Sequence, residues 1–251
     1  MPPPLLPPLT LLPAVCETEM VLYDVNQSTY SSLPRPKALP LFCRFLLVSP
    51  IAALCFPGNV AETTIRMLDL VTCAVTNLGD MLQSRCDPGV LYYRRSVYIF
   101  GGEFNYSHIK SCEKLIQSQI CLPLPDMAKG NTAFCPCGFQ ECIYLPSVFE
   151  EAVTEVLHLS SETFTQVAIP QDFPRWSPIM MVSGEELLVV GAGLMVGRWN
   201  LVTLEGKMEG VRAFASKAQV PASCAPVIHA GQLVWLGAFV RKRYRASILT
   251  S

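Results

Sequence analysis

Three cysteines crowd together at Cys135, Cys137 and Cys142, in the run FCPCGFQEC, with Cys112 and Cys121 upstream. Thiolates at that density are the raw material of a metal site. Zinc sites, however, present pairs separated by two to four intervening residues so that both sulfurs reach one tetrahedral centre. The single residue between Cys135 and Cys137 instead puts both side chains on one face of an extended strand, so buried strand thiols are expected and no metal. The run LLVVGAGLMVG carries Gly191, Gly193 and Gly197 behind an apolar strand, as a dinucleotide-binding turn does. That turn needs its third glycine one residue earlier and must open a helix, so no nucleotide cofactor is expected. Acid–base chemistry has little material: there are three histidines, His108, His158 and His229. Cys224 and His229 could be called a Cys/His dyad, but each occupies its own expected strand or turn position. Trp176, Trp199 and Trp235 read as packing residues. No catalytic residue and no cofactor are expected.

The chain that must position any site has 251 residues, 51% of them hydrophobic and only 16% charged, so an unusual share of it is kept from water. Nineteen Lys+Arg against twenty Asp+Glu leave no overall basic footprint for nucleic acid. High hydrophobicity with a net charge of −1 excludes disorder over most of the length. The longest nearly uncharged stretch, Phe45 to Ala61, is interrupted by Pro50, Pro57, Gly58 and Asn59 and is too short to span a bilayer as a helix. The start, MPPPLLPPLTLLPAVC, lacks a basic residue and is broken by prolines, unlike a secretory leader. Against that background the triplets Asn26-Gln27-Ser28 and Asn105-Tyr106-Ser107 carry little weight as glycosylation sites. Eleven cysteines, an odd number scattered through apolar runs, read as reduced thiols in the cytoplasm or nucleus.

Internal repetition organises the chain. Five β-rich runs stop at Gly or Pro: AALCF before Pro57, VYIF before Gly101, CIYL before Pro146, LLVV before Gly191 and LVWL before Gly237. The steps are 44, 45, 45 and 46 residues, and a step of 44 back from Pro57 reaches Pro13, after LTLL. Between these breakers lie further apolar runs separated by polar turns, such as MVLYDV then TYSSLP, or EVLHLS then FTQVAIP. Four short strands per period of about 45 residues predict an all-β meander of the β-propeller type, in which each four-stranded blade buries its neighbours' faces.

The segment SVYIFGG, residues 96–102, resembles the kelch repeat: a hydrophobic strand, then the double glycine Gly101-Gly102. Gly191-Ala192-Gly193 and Gly237-Ala238 are softened versions, and Tyr23 with Tyr30 echoes the later aromatic pair. The spacing extends over nearly the whole chain. The expected architecture is a single kelch-like propeller with repeats at about 16–58, 59–102, 103–147, 148–193 and 194–238. Residues 1–15 and 239–251 then contribute to a partial sixth blade, shared by LTLL and the C-terminal run YRASILT. An incomplete blade leaves a strand edge through which copies of the chain are expected to associate.

In such a propeller the loops after the second and fourth strands open on one face. A basic residue recurs in them: Arg35, Lys37, Arg85, His108, Lys110, Lys129, Arg175, Arg198, Arg241 and Arg243. Glu62, Glu103, Asp126, Glu150, Glu151 and Asp172 share those loops and oppose the field. The expected partner is a protein or peptide, acidic in character, with no nucleic acid and no membrane. The kelch resemblance implies a non-enzymatic interaction module of the kind that serves ubiquitin ligases as a substrate receptor beside an F-box or BTB region. The alternative is a propeller-based enzyme acting on a small molecule or carbohydrate, with acids converging on the central channel.

Overall fold

The computed structural model describes residues 11–15, 18–24, 27, 29–40, 43–116, 119–132, 134–146, 153–168, 179–183, 185–190, 196–201, 206–209, 227–229, 232–237 and 245–250. Among them the chain is all-β, and it folds as consecutive antiparallel meanders. Sheet 1 holds β1 (Leu11–Val15), β2 (Glu19–Asp24) and β3 (Thr29–Pro34). Sheet 2 holds β4 (Arg44–Ser49), β5 (Ala52–Phe56), β6 (Glu62–Asp69) and β7 (Val75–Arg85). Sheet 3 starts with β8 (Gly89–Tyr93) and β9 (Ser96–Phe100), then inserts a two-stranded hairpin, β10 (Glu103–Phe104) with β11 (Ser107–His108). It resumes with β12 (Cys112–Ile116) and β13 (Ile120–Leu124). Sheet 4 is β14 (Cys137–Phe139), β15 (Cys142–Pro146), β16 (Val153–His158) and β17 (Thr163–Ala168). Sheet 5 is β18 (Ile179–Ser183), β19 (Glu186–Val190), β20 (Val196–Asn200) and β21 (Gly206–Glu209). Sheet 6 is β22 (Val227–His229), β23 (Gln232–Gly237) and β24 (Arg245–Thr250).

The second strands of sheets 2 to 6 end at Phe56, Phe100, Pro146, Val190 and Gly237, where the breakers were expected to end them. Pro13 differs. It lies inside β1, opposite Leu22, and the strand continues to Val15. Proline has no N–H to give a ladder, and among the described residues β1 is an edge strand paired with β2, the position in a sheet that tolerates proline. The breaker loops join the second and third strands of one sheet, so periods cut at the breakers run from mid-sheet to mid-sheet. Among the described residues the two termini lie in different sheets rather than in one shared sixth blade. β1 pairs with β2 and β24 pairs with β23, which makes two separate three-stranded sheets. Tight sequential connections favour pairing with the chain neighbour over pairing with the far terminus.

Sheets 1 to 4 stack through strands buried on both faces, and strand periodicity decides which residue serves which interface. On β5, Ala53 and Cys55 join Leu12, Met20, Leu22 and Tyr23 of sheet 1, whereas Leu54 and Phe56 turn to Val90, Val97 and Ile99 of sheet 3. On β9, Val97 and Ile99 face sheet 2, and Tyr98 and Phe100 face Ile143, Leu145 and Leu157 of sheet 4. This is why the runs AALCF and SVYIF are apolar at nearly every position rather than at every second one. The first strands of adjacent sheets also lie side by side: β4 beside β8, β8 beside β14, and β14 beside β18. β1 lies beside β4 and also beside β23, so the first sheet meets the last.

Candidate binding face

In a meander the connections from second to third strand, and from each sheet to the next, emerge at the same end. Hydrogen bonds tie these loops together across sheets 2, 3 and 4. Asp87 N–H donates to Pro57 O (2.9 Å), Gly102 N–H to Asn131 O (2.7 Å), and Met127 N–H to Lys110 O (3.0 Å). Gly101 and Gly102 have φ of +55° and +101°, and a Cβ on Gly102 would lie 2.7 Å from Cys86 O. The only complete kelch-like double glycine thus marks a turn that no side chain would fit.

Two buried arginines hold this end from below. Arg85 is fully buried, and its guanidinium donates to Gly101 O (2.7 Å), Ser111 O (2.8 Å) and Ser111 Oγ (2.8 Å) and pairs with the buried Glu113. Glu113 in turn accepts the N–H groups of Leu82 (2.7 Å) and Gln83 (3.2 Å), so the pair locks β7 of sheet 2 to β12 of sheet 3. Burial pulls the Arg85 pKa down and the Glu113 carboxylate pulls it up. This corrects the expectation for Arg85: it is a clamp within the fold and offers nothing to a partner. Arg44 opens β4 and donates to Pro88 O (2.9 Å) and Phe134 O (3.1 Å), drawing together the starts of sheets 2, 3 and 4.

Of the other expected residues, Lys37, His108, Lys110 and Lys129 are exposed and Arg35 is half-buried. Arg35 donates to Leu39 O within its own loop. His108, Lys110 and Lys129 come together, because the 107–111 and 127–131 segments run in backbone contact. A Cβ on Gly130 would overlap the His108 carbonyl, so only glycine permits the approach. Arg198 lies on β20, opposite Leu188 and Lys207, rather than in a loop. Arg175, Arg241 and Arg243 lie outside the described residues, as do Glu150, Glu151 and Asp172.

The carboxylates of Glu62 and Glu155 are engaged within the fold. Glu62 pairs with Arg66 (2.7 Å), Glu103 sits directly across from His108, and Glu155 accepts the N–H groups of Ala128 (2.8 Å) and Lys129 (3.1 Å). Asp126 is exposed. Asp87, with φ of +47°, lies near Arg44 and Glu103, and burial pushes its carboxyl up to about 6. Because this folded pKa exceeds the ordinary 3.8, the native state holds the Asp87 proton more tightly than the unfolded chain does. The resulting stability is complete below about pH 4 and is lost as pH rises through 6. Asp87→Asn keeps the neutral form and tolerates positive φ, so it is expected to add about 1–3 kcal/mol at pH 7.5 and to remove that slope. Urea denaturation of both proteins at pH 4.5, 6 and 7.5 checks this; an equal slope in the variant would mean that Asp87 does not titrate there.

At the opposite end stands one arrangement that a catalytic reading would draw on. Cys142 Sγ lies 3.4 Å from His158 Nδ1, and His158 Nε2 lies 2.8 Å from Thr165 Oγ1. Burial and Glu141 push the Cys142 thiol up, away from the thiolate a nucleophile needs. The sequence concealed this pair, because residues 16 apart meet only through the β15–β16 register that sets Cys142 opposite His158. Cys135 and Cys137 are both buried, and among the described residues no three His, Cys, Asp or Glu side chains converge as metal ligands. No helix among these residues is long and apolar enough to cross a membrane, and Phe45–Ala61 instead builds β4, β5 and the loop after them. Searches against protein-family models and curated proteins found no match to this chain.

Proposed function

We propose that the chain is a kelch-like β-propeller acting as a non-enzymatic interaction module, with an acidic peptide or protein segment held at its loop end. Six successive sheets are its blades, and the contacts of β1 with both β4 and β23 support a ring in which the first blade meets the last. The observation that carries the binding reading is the unequal engagement of charge at the loop end. Glu62 and Glu155 have partners for their carboxylates within the fold and burial disfavours the Asp87 carboxylate, while Lys37 and Lys110 are exposed. Exposed cations around a rigid, apolar-rooted end steer anionic partners. By the kelch resemblance, recruitment of a substrate to a ubiquitin ligase is the proposed setting. The triple variant Lys37→Glu/Lys110→Glu/Lys129→Glu is expected to lose at least tenfold in affinity for acidic dodecapeptides selected on the wild-type protein from a random displayed library. Its circular dichroism and melting temperature should stay unchanged, because the substituted positions are exposed. Undiminished binding by a folded triple variant refutes the basic face.

A further inference from the structure

The β10–β11 hairpin projects from the loop end with a turn, Asn105-Tyr106, whose residues both have positive φ, +50° and +61°. Two-residue hairpin turns of this hand favour Asn and Gly, and a bulky aromatic at the second position is strained. Tyr106 recovers nothing from packing, since it is 97% exposed, and Phe104 beside it is 39% exposed. The finger is nevertheless held firmly at its root. Glu103 and Cys86 exchange N–H···O bonds of 2.8 and 2.9 Å, Ile109 N–H donates to Gly102 O (3.0 Å), and Gly102 N–H donates to Asn131 O (2.7 Å). A strained, solvent-exposed aromatic on a rigid mount has no explanation in the stability of the fold.

We infer that Tyr106, supported by Phe104, is the anchor of the peptide site: it takes an apolar side chain of an acidic peptide while Lys110 and Lys129, at the foot of the finger, meet its carboxylates. This rests on the reading of the loop end as an acidic-peptide site and names the residues that hold such a peptide. Tyrosine suits the role because it offers a large amphipathic surface at small cost in side-chain entropy. Lys110 and Lys129 flank the finger because Met127 N–H bonds Lys110 O and the glycine at 130 lets the second loop lie against His108. Asp126 lies in the same corner and selects against peptides with acids at every position.

The test uses the full chain and peptides selected on it from a library of random dodecapeptides. Tyr106→Gly relieves the positive φ, so its melting temperature should equal or exceed that of the wild type while peptide affinity falls at least tenfold. Tyr106→Asn, which also suits the turn, should behave alike and guards against an effect peculiar to glycine. Acidic peptides that bind both variants as well as the wild type overturn the anchor and leave the basic face standing. Selected peptides that depend on Tyr106 but carry no excess of Asp and Glu overturn the acidic partner. Absence of any enriched peptide overturns both, and a drop in melting temperature in both variants overturns the claim that Tyr106 does not serve the fold.

Discussion

Replacing Arg85 by leucine is expected to destabilise the protein by about 3–5 kcal/mol, because a buried carboxylate is left without its counter-ion. Arg85 and Glu113 are 0% and 2% exposed at their side chains, so water cannot take the place of either. The guanidinium also donates to three carbonyls, those of Gln83, Gly101 and Ser111, and to the Ser111 hydroxyl, and those acceptors lose a donor in the same step. Glu113→Gln in the Arg85→Leu background removes the stranded charge while keeping an acceptor for one of the Leu82 and Gln83 N–H groups, so it should recover part of the loss. Urea denaturation of the wild type, the single variant and the double variant measures both steps. A loss under about 1 kcal/mol in the single variant would mean that the ion pair is not buried in solution.

Truncating Phe100 to alanine should cost about 3–5 kcal/mol. Its ring is fully buried between sheets 3 and 4, among Phe134, Met127, Ile143, Leu145 and Leu157. The next residue back, Ile99, is equally buried but faces sheet 2, so Ile99→Val should cost only about 0.5–1.5 kcal/mol and loosen a different interface. Hydrogen exchange should separate the two variants: Phe100→Ala should speed exchange in β15 and β16, and Ile99→Val in β5 and β6. The same segments loosening in both would contradict the alternation of β9.

Strand positions were readable because β-rich runs, breakers and turns repeat at nearly one spacing, and Phe100 was readable as an inter-sheet residue for the same reason. What escaped the sequence depends on partners far along the chain. Arg85 follows the polar pair Gln83-Ser84 and passes for a loop cation; its burial becomes visible only when Glu113, 28 residues later, is brought against it. Pro13 ended a run on paper, yet an edge strand accepts a proline in its middle. The β10–β11 hairpin escaped because EFNYSH is too short and too polar to read as strand, and its turn lacks the glycine that would announce it. Lys37, His108, Lys110 and Lys129 were readable as exposed because they fall between the periodic runs.

The buried cysteines have a consequence for watching the molecule open. Burial pushes the Cys112 and Cys121 thiols up to about 12, and Cys135 and Cys137 are also raised by burial, so in the native state these sulfurs are poor nucleophiles. An alkylating reagent therefore reaches each one chiefly when its surroundings come apart. Cys43 and Cys55 belong to sheet 2 and the start of its first strand, Cys112 and Cys121 to sheet 3, and Cys135 and Cys137 to the start of sheet 4. The chain carries a native chemical clock in each of three adjacent sheets. Mass-spectrometric labelling rates, read peptide by peptide, would report whether the sheets open together or one at a time, without a fluorophore or an engineered residue.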